Sequence, residues 1–490
     1  MFKLIRQNYI LMVIILLGLF FRIFRFEELY GYGHEQDLQA FIAKDILVDK
    51  HFRLIGQETS ITGLFIGPIY YYIMAFFFWL FGMNPLSFAI PITVISMATL
   101  MSVFWIIKKL YGKDAAISAS VIYAASSNIA FLDRWIVPTQ PTLLWSVWFF
   151  YCLMILLRKD YRAIPILIVL FGLIWHIHIA FIPYFLILVP LAFFLSRGSL
   201  KNLFSHKRAV YFSFGIFILL ITPFIAFEIR HGFGQINALA TAFSSGGEYA
   251  EIRSGYYKLY VIIEHIDRVL REPFSNIRIF PYSFAGFFLL VFGLWGLKKI
   301  KREEAAIFIA WVVLTIAVHF FSKRAMSEYY FNNLIVLSVT LFGIFYSFVI
   351  RIKGFFSPAV FLLGFFVLIN FSALNQKQVH GEYKDKLGAV TFIKESVREN
   401  NYPCVGINYI GELGVSYGYR YLFWWKKVIQ IAPGNDVPTY SIVRPWTISE
   451  NEVNKVFGDI GVIVPKKMQV DPSVCTQEDR QLLPLNGFVN

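Results

Sequence analysis

Long apolar runs recur down this chain, and short clusters of lysine and arginine separate them. A run of about 20 such residues spans the roughly 30 Å hydrocarbon core of a bilayer. A chain made of many such runs can fold only as an α-helical polytopic membrane protein. Composition agrees: 57% of residues are apolar and 16% charged, where soluble domains carry about 25% charged residues. Its 490 residues leave room for roughly ten spans and a modest soluble domain. A formal charge of +14 would suggest nucleic acid in a soluble protein. Here the cations sit in short loops between spans, where cytoplasmic retention accounts for them. No nucleic-acid partner is expected.

The loop charges set an orientation. Lys3 and Arg6 precede the first span, Tyr9–Phe24, and hold the N-terminus in the cytoplasm. No small-residue cleavage site follows at Gly31-Tyr32-Gly33, so this segment reads as an uncleaved signal anchor. The next run, Gly63–Phe81, looks like a span by hydropathy. If it crossed, Lys108, Lys109 and Lys113 would lie outside, against the positive-inside rule. It is therefore read as an interfacial or re-entrant hairpin within a first outer loop, residues 27–85. Spans then follow at Leu86–Ile107, Ala115–Leu132 and Pro141–Leu157. Ile164–Leu195 is too long for one crossing and has basic clusters at both ends, so it must turn outside, near Trp175-His176-Ile177-His178. Val210–Phe227 leads to a large outer loop, residues 228–281, and four further runs bring the tally to about 11 crossings. Residues 1–374 are thus a multi-pass domain of the plasma membrane. Residues 375–490 mix a helical stretch, Leu387–Arg398, with β-prone runs at Val405–Tyr409, Val428–Ala432 and Ile460–Val464. They predict a small extracytoplasmic α/β domain. Cys404 and Cys475 can pair there if that side is oxidising, but spacing does not decide it.

Chemistry-bearing residues gather on the predicted outer side. Gly33-His34-Glu35-Gln36-Asp37 sets two carboxylates and a histidine before an interfacial helix that is expected to start near Leu38, with Asp37 as its cap. Arg134, the pair His176 and His178, and the stretch from Lys323 and Arg324 to Tyr330 fall on the same side. Each has an ordinary reading as an anchor, a polar turn or a snorkelling cation. Pooled beside an acidic loop they fit a site for a lipid phosphate, with cations neutralising the phosphate and a carboxylate taking a proton from a hydroxyl. No ionisable residue falls in the middle of a predicted span, which weighs against an ion-coupled transporter.

In layout these residues resemble the GT-C membrane glycosyltransferases, in the branch of protein O-mannosyltransferases and lipid A aminoarabinose transferases. Glu35-Gln36 falls where that family has an Asp-Glu pair, if Ile42-Ala43-Lys44-Asp45-Ile46-Leu47 matches the family's helix. The stretch Leu54-Ile55-Gly56 through Thr62-Gly63-Leu64-Phe65-Ile66-Gly67-Pro68-Ile69-Tyr70-Tyr71-Tyr72 is similar to a bacterial subgroup's. Asp133-Arg134-Trp135 is similar to its Ser-Arg-Trp, and Trp175-His176-Ile177-His178 to its Gln-Leu-His. The resemblance covers about the first 200 residues, and the rest in architecture only. It implies an inverting transferase that takes a sugar from a polyprenyl-phosphate donor to a lipid, glycan or protein acceptor at the outer membrane face. Glu35 would be the base and Asp37 its orienter or its rival. Arg134, His178 and Lys323 or Arg324 would hold the donor phosphate, with His34, His176 and Tyr330 nearby. A neutralised phosphate leaves readily, so neither a metal nor another cofactor is required in principle. The alternatives are a flippase or transporter of lipid-linked saccharides and an inactive scaffold of the same fold.

Overall fold

The computed structural model describes residues 2–59, 61–203, 205–244, 255–275, 277, 280–322 and 326–488. The pair α2 (His34–Leu47) and α3 (Ile69–Leu80) follows α1 (Phe2–Ile23). A bundle follows with α4 (Ala89–Tyr111), α5 (Lys113–Ala125), the short α6 (Ser127–Leu132), α7 (Thr142–Leu157), α8 (Ala163–Ile177) and α9 (Ile182–Leu195). Next come α10 (Lys207–Arg230), α11 (Gly234–Ser244), α12 (Gly255–Arg271), α13 (Tyr282–Gly296), α14 (Arg302–Phe321), α15 (Ile335–Val349) and α16 (Phe356–Gln376). Five segments are long and apolar enough to cross a membrane: Pro85–Tyr111, Lys207–Arg230, Arg302–Phe321, Glu328–Val349 and Phe356–Gln376. The shorter apolar helices are Tyr9–Ile23 of α1, α3, α7, α8, Ile179–Leu195 with α9, and α13; the expected span Ala115–Leu132 falls on α5 and α6. The Gly63–Phe81 run folds as the 12-residue α3, about 18 Å long and short of a bilayer core. The run from Ile164 to Leu195 breaks into α8 and α9 at His178, where the length argument put a turn.

Two departures matter for the site. Helix α2 begins at His34, not at Leu38, and its N-cap is Gly33, not Asp37. The predicted span Ala115–Leu132 is interrupted at Ser126, whose side chain accepts from the Ile129 N–H and starts α6. That break sets Asp133 against Arg22 at the end of α1. Both are about 99% buried and pair at 2.8 Å. Arg22 also donates to Ser96 Oγ and to the carbonyls of Tyr123 and Ala124, so this buried charge is fully partnered, as burial demands.

The C-terminal part carries α17 (Tyr383–Glu399), α18 (Arg420–Trp425) and a five-stranded mixed sheet. Its strands are β1 (Val405–Gly411), β2 (Gln430–Ile431), β3 (Thr439–Arg444), β4 (Lys455–Phe457) and β5 (Ile460–Ile463), in the order β2-β1-β3-β5-β4. Strand β1 runs parallel to β2 and β3, in register Gly406 to Thr439, and β5 is antiparallel to β3 and β4. A Cys404–Cys475 disulfide staples it. Its core is continuous with residues 27–85: Tyr30, Tyr32, Leu38 and Ile42 pack in one cluster with Tyr383, Val390, Tyr421 and Tyr440. The bundle has a separate core. Helix α2 therefore sits between two bodies, one face to the sheet and one to the bundle.

Candidate active site

That placement gives the two carboxylates of α2 different tasks. Residues two apart on a helix point to nearly opposite sides. Glu35 is half-buried, and its Oε2 accepts from Gln57 Nε2 at 2.9 Å. Gln57 is held in turn by Tyr71, which donates to its Oε1 at 3.0 Å. Tyr71 lies flat under Gly56, where a Cβ would come 2.1 Å from its ring. The chain Tyr71–Gln57–Glu35 thus fixes one carboxylate oxygen. Gln36 closes the helix start: its Oε1 accepts from Gly33 N at 2.9 Å, and its Nε2 donates to Ile136 O at 3.0 Å. That second bond ties α2 to the loop carrying Arg134.

Asp37 faces the sheet domain. It caps a helix after all, but that helix is α18: its carboxylate accepts from the backbone N–H groups of Tyr421 at 2.9 Å and Arg420 at 3.2 Å. It is 1% exposed. Burial pushes its pKa from 3.8 up to about 7, although the two N–H donors pull the other way. His34 also leans to that side, where its Nε2 meets Asn486 O at 2.9 Å.

On the bundle side a cavity of about 570 Å³ opens between Gly31, the Arg134 loop, the end of α12 and the turn before α15. Four cations (Arg134, Arg268, Arg271, Lys377) and two carboxylates (Glu272, Glu328) line it, leaving an excess of positive charge. Arg134 is 3% exposed. Its Nη2 donates to carbonyls at and just past the end of α1, Phe21 O at 2.6 Å and Phe24 O at 2.8 Å, while its buried Nε and Nη1 have no hydrogen-bond partner among the described residues. Burial, with Arg22 nearby, lowers its pKa to about 10, so it stays charged at neutral pH. Arg271 is 9% exposed. Its Nη1 donates to Ser275 O at 2.9 Å, and its buried Nε is likewise unpartnered. Arg268 is engaged with Glu328 at 2.6 Å, although its buried Nε also makes no hydrogen bond among the described residues, and the Lys377 ammonium lies over the Phe131 ring. Two buried guanidinium groups with N–H bonds to spare are costly unless an anion takes them up.

Tyr329 leads back from this cavity to two further polar residues. It lines the cavity and lies within electrostatic reach of the Glu35 carboxylate. Its hydroxyl donates to Tyr330 Oη at 3.3 Å, and Tyr330 Oη lies 3.4 Å from His178 Nε2. His178 Nδ1 accepts from the Ala180 N–H, which puts that imidazole's proton on Nε2 when it is neutral. Of the residues picked from sequence, Arg134 lines the cavity, with Tyr330 and His178 behind Tyr329, whereas Glu35 is not among the lining residues. His34 and Asp37 do not, and they line a smaller cavity under the sheet domain instead. His176 is absorbed by packing: its Nε2 meets Leu220 O at 2.8 Å, and its ring lies so close to Gly67 that a Cβ there would sit 2.0 Å from Nδ1. Lys323 and Arg324 lie outside the described residues. Lys377 and Gln57 were not singled out from sequence; Arg268 and Arg271 were read only as basic residues of the loop 228–281, and Tyr329 only as part of the stretch ending at Tyr330. One signal was present, since Arg268 and Arg271 sit three apart beside the apolar stripe Ile262, Ile266, Val269 and Leu270 of α12. Among the described residues, no group of three or more His, Cys, Asp or Glu side chains is placed to hold a metal ion.

Comparison with known proteins bears on this geometry. A sequence model of the dolichyl-phosphate-mannose-protein mannosyltransferase family matches residues 66–243, a little over a third of the chain. No curated protein matches by sequence. By fold the chain is similar to ArnT from Cupriavidus metallidurans bound to undecaprenyl phosphate, with a TM-score of 0.59 at 10% identity over 95% of this chain and 98% of that one. The apo state of the same protein aligns with a TM-score of 0.52 at 10% identity, over 94% and 97% of the two chains. An oligosaccharyltransferase from Archaeoglobus fulgidus, in complex with Zn and sulfate, aligns at 0.49 and 13% identity, over 89% and 68%. The expected fold class is met: this is a multi-pass helical membrane protein of the GT-C fold with a small C-terminal sheet.

Proposed function

We propose that the chain is an inverting glycosyltransferase that moves a sugar from a polyprenyl-phosphate donor to an acceptor at the outer face of the plasma membrane. The observation that carries this reading is the pair of buried arginines, Arg134 and Arg271: both line one cavity, which Gly31, just ahead of Glu35, also lines, and both keep N–H groups with no hydrogen-bond partner among the described residues. Arginine's planar fork suits phosphate oxygens, and charge-assisted bonds of this kind are the strong ones. The family match and the fold shared with a protein that binds undecaprenyl phosphate support a lipid-linked donor.

In this reading the donor phosphate lies between Arg134 and Arg271, with Lys377 adding a point charge. The sugar extends toward Glu35. The acceptor hydroxyl attacks the anomeric carbon from the side opposite the phosphate as Glu35 takes its proton, and the C–O bond to phosphate breaks. Configuration inverts, and polyprenyl phosphate leaves with the bonding electrons. The arginines hold the charge that develops on the departing oxygen, which is where preorganised donors lower a barrier most. The Gln57 hydrogen bond leaves the second Glu35 oxygen for the acceptor. Mass spectrometry of envelope glycans and lipids from cells with and without the protein tests the reading. A sugar missing from the envelope, together with accumulated sugar–phosphate lipid, is the expected result; unchanged glycans and unchanged donor lipid would refute transfer.

A further inference from the structure

A second charged cavity, of about 470 Å³, lies at the other end of the bundle, where α4, α7, α13 and α14 meet. Helix α4 starts just after Asn84, which accepts a hydrogen bond from Tyr383 of the sheet domain, and runs 23 residues to Tyr111 at this cavity. That length is about 34 Å, a membrane thickness away from Glu35. Five cations line the cavity (Arg158, Lys298, Lys299, Lys301, Arg302) against one carboxylate, Glu304.

That carboxylate is already used. Glu304 is 3% exposed. Its Oε1 accepts from Arg158 Nη2 at 3.0 Å, and its Oε2 accepts from Lys301 N at 3.1 Å. Arg158 also donates to Leu110 O at 3.2 Å, so this pair ties three helix ends into the cavity floor. The charges of Lys298, Lys299, Lys301 and Arg302 then have no carboxylate partner among the described residues. Trp295, 44% exposed, stands at the rim, the placement expected of a ring at a membrane interface. The positive-inside rule explains why cations lie at this end. It does not explain their convergence on one cavity. The Lys299 ammonium lies over the Phe348 ring; four cations without a carboxylate partner around a hollow between helix ends are complementary to a phosphate group, and basic pockets of this kind take anionic head groups.

We propose that this cavity binds the phosphate-bearing head group of an anionic lipid in the adjoining leaflet. The site is independent of sugar transfer, so failure of either reading leaves the other standing. The test is native mass spectrometry of the full chain released from nanodiscs of phosphatidylglycerol or of phosphatidylcholine. Wild type should retain phosphatidylglycerol and lose phosphatidylcholine. The variant Lys298→Gln/Lys299→Gln/Lys301→Gln/Arg302→Gln should retain at least about tenfold less, since each cation near an anionic surface contributes about 1 kcal/mol. All four side chains are exposed, so the core is left intact. Lys298→Arg/Lys299→Arg/Lys301→Arg should behave as wild type. Equal retention by the glutamine variant, or loss in the arginine variant, would overturn the assignment. A thermal-shift series separates the two sources of phosphate: phosphatidylglycerol should stabilise wild type where pyrophosphate in solution does not. Stabilisation by pyrophosphate alone would make the ligand a soluble phosphate and overturn the lipid.

Discussion

Glu35 and Arg271 divide the proposed chemistry between them, and single substitutions should separate their effects. Glu35→Gln keeps the hydrogen bond from Gln57 but cannot take a proton. Turnover should fall by about 100-fold or more, with polyprenyl-phosphate binding unchanged. Glu35→Asp restores the family's residue with a shorter reach and should give partial activity. Arg271→Gln removes a buried charge-assisted donor and should weaken polyprenyl-phosphate binding by about 1.5–3 kcal/mol, or roughly 10- to 100-fold in Kd. Arg134 is a poorer probe, because its Nη2 also holds the end of α1 and its loss would loosen the fold. Binding by titration and turnover by product analysis check the pair. Unchanged affinity in Arg271→Gln would remove it from the phosphate site. Legibility at this scale followed sequence distance. Glu35 stands in a run of polar residues straight after a span, so it was visible; Arg271 and Lys377 reach the same cavity from 236 and 342 positions further on, and only the bundle's packing joins them.

Helix α2 connects the site to the sheet domain, and Asp37 is the joint. Expecting it to cap its own helix was reasonable from spacing, but Gly33 and Gln36 already close that end. Asp37 is thereby free to take the N–H groups of α18. Its pKa is raised from 3.8 to about 7, so the folded protein holds this proton more tightly than the unfolded chain. Stability linked to Asp37 is therefore greatest in acid and falls as pH rises from about 4 to about 7, by up to about 4 kcal/mol. Asp37→Asn cannot ionise. The advantage of wild type over this variant in thermal unfolding should shrink between about pH 4 and about pH 7. A gap that widens instead would mean the carboxylate is stabilised as an anion. Strand β3 shows the opposite limit on legibility. Thr439–Arg444 has β-forming residues but is bracketed by Pro438 and Pro445, which read as breakers. Its place at the centre comes from pairing with β1 and β5, which a local pattern does not contain.

For the whole molecule, alternation of apolar runs with basic loops carried most of the architecture, because the bilayer imposes a length and a sidedness on every helix. What it did not carry was the union of residues 27–85 with the sheet domain into one core, since neither segment's hydrophobic pattern names its partner. Orientation can be tested on the intact protein. Cys404 and Cys475 are joined and Cys152 is buried, so an added surface cysteine should be the one reactive thiol. Leu413 in the sheet domain is fully exposed, and Lys113, just beyond the far end of α4, is exposed as well. The disulfide suits an oxidising compartment, and Lys108, Lys109 and Lys113 suit the cytoplasm. Both arguments put the sheet domain outside. Leu413→Cys should react with an impermeant maleimide in intact cells, and Lys113→Cys only after permeabilisation. Neither substitution touches a core residue or the proposed site, so loss of the fold would not mimic either result. The reverse labelling pattern would place Glu35 and the arginine cavity on the cytoplasmic side. The donor would then have to be drawn from the inner leaflet, and transfer at the outer face would be excluded.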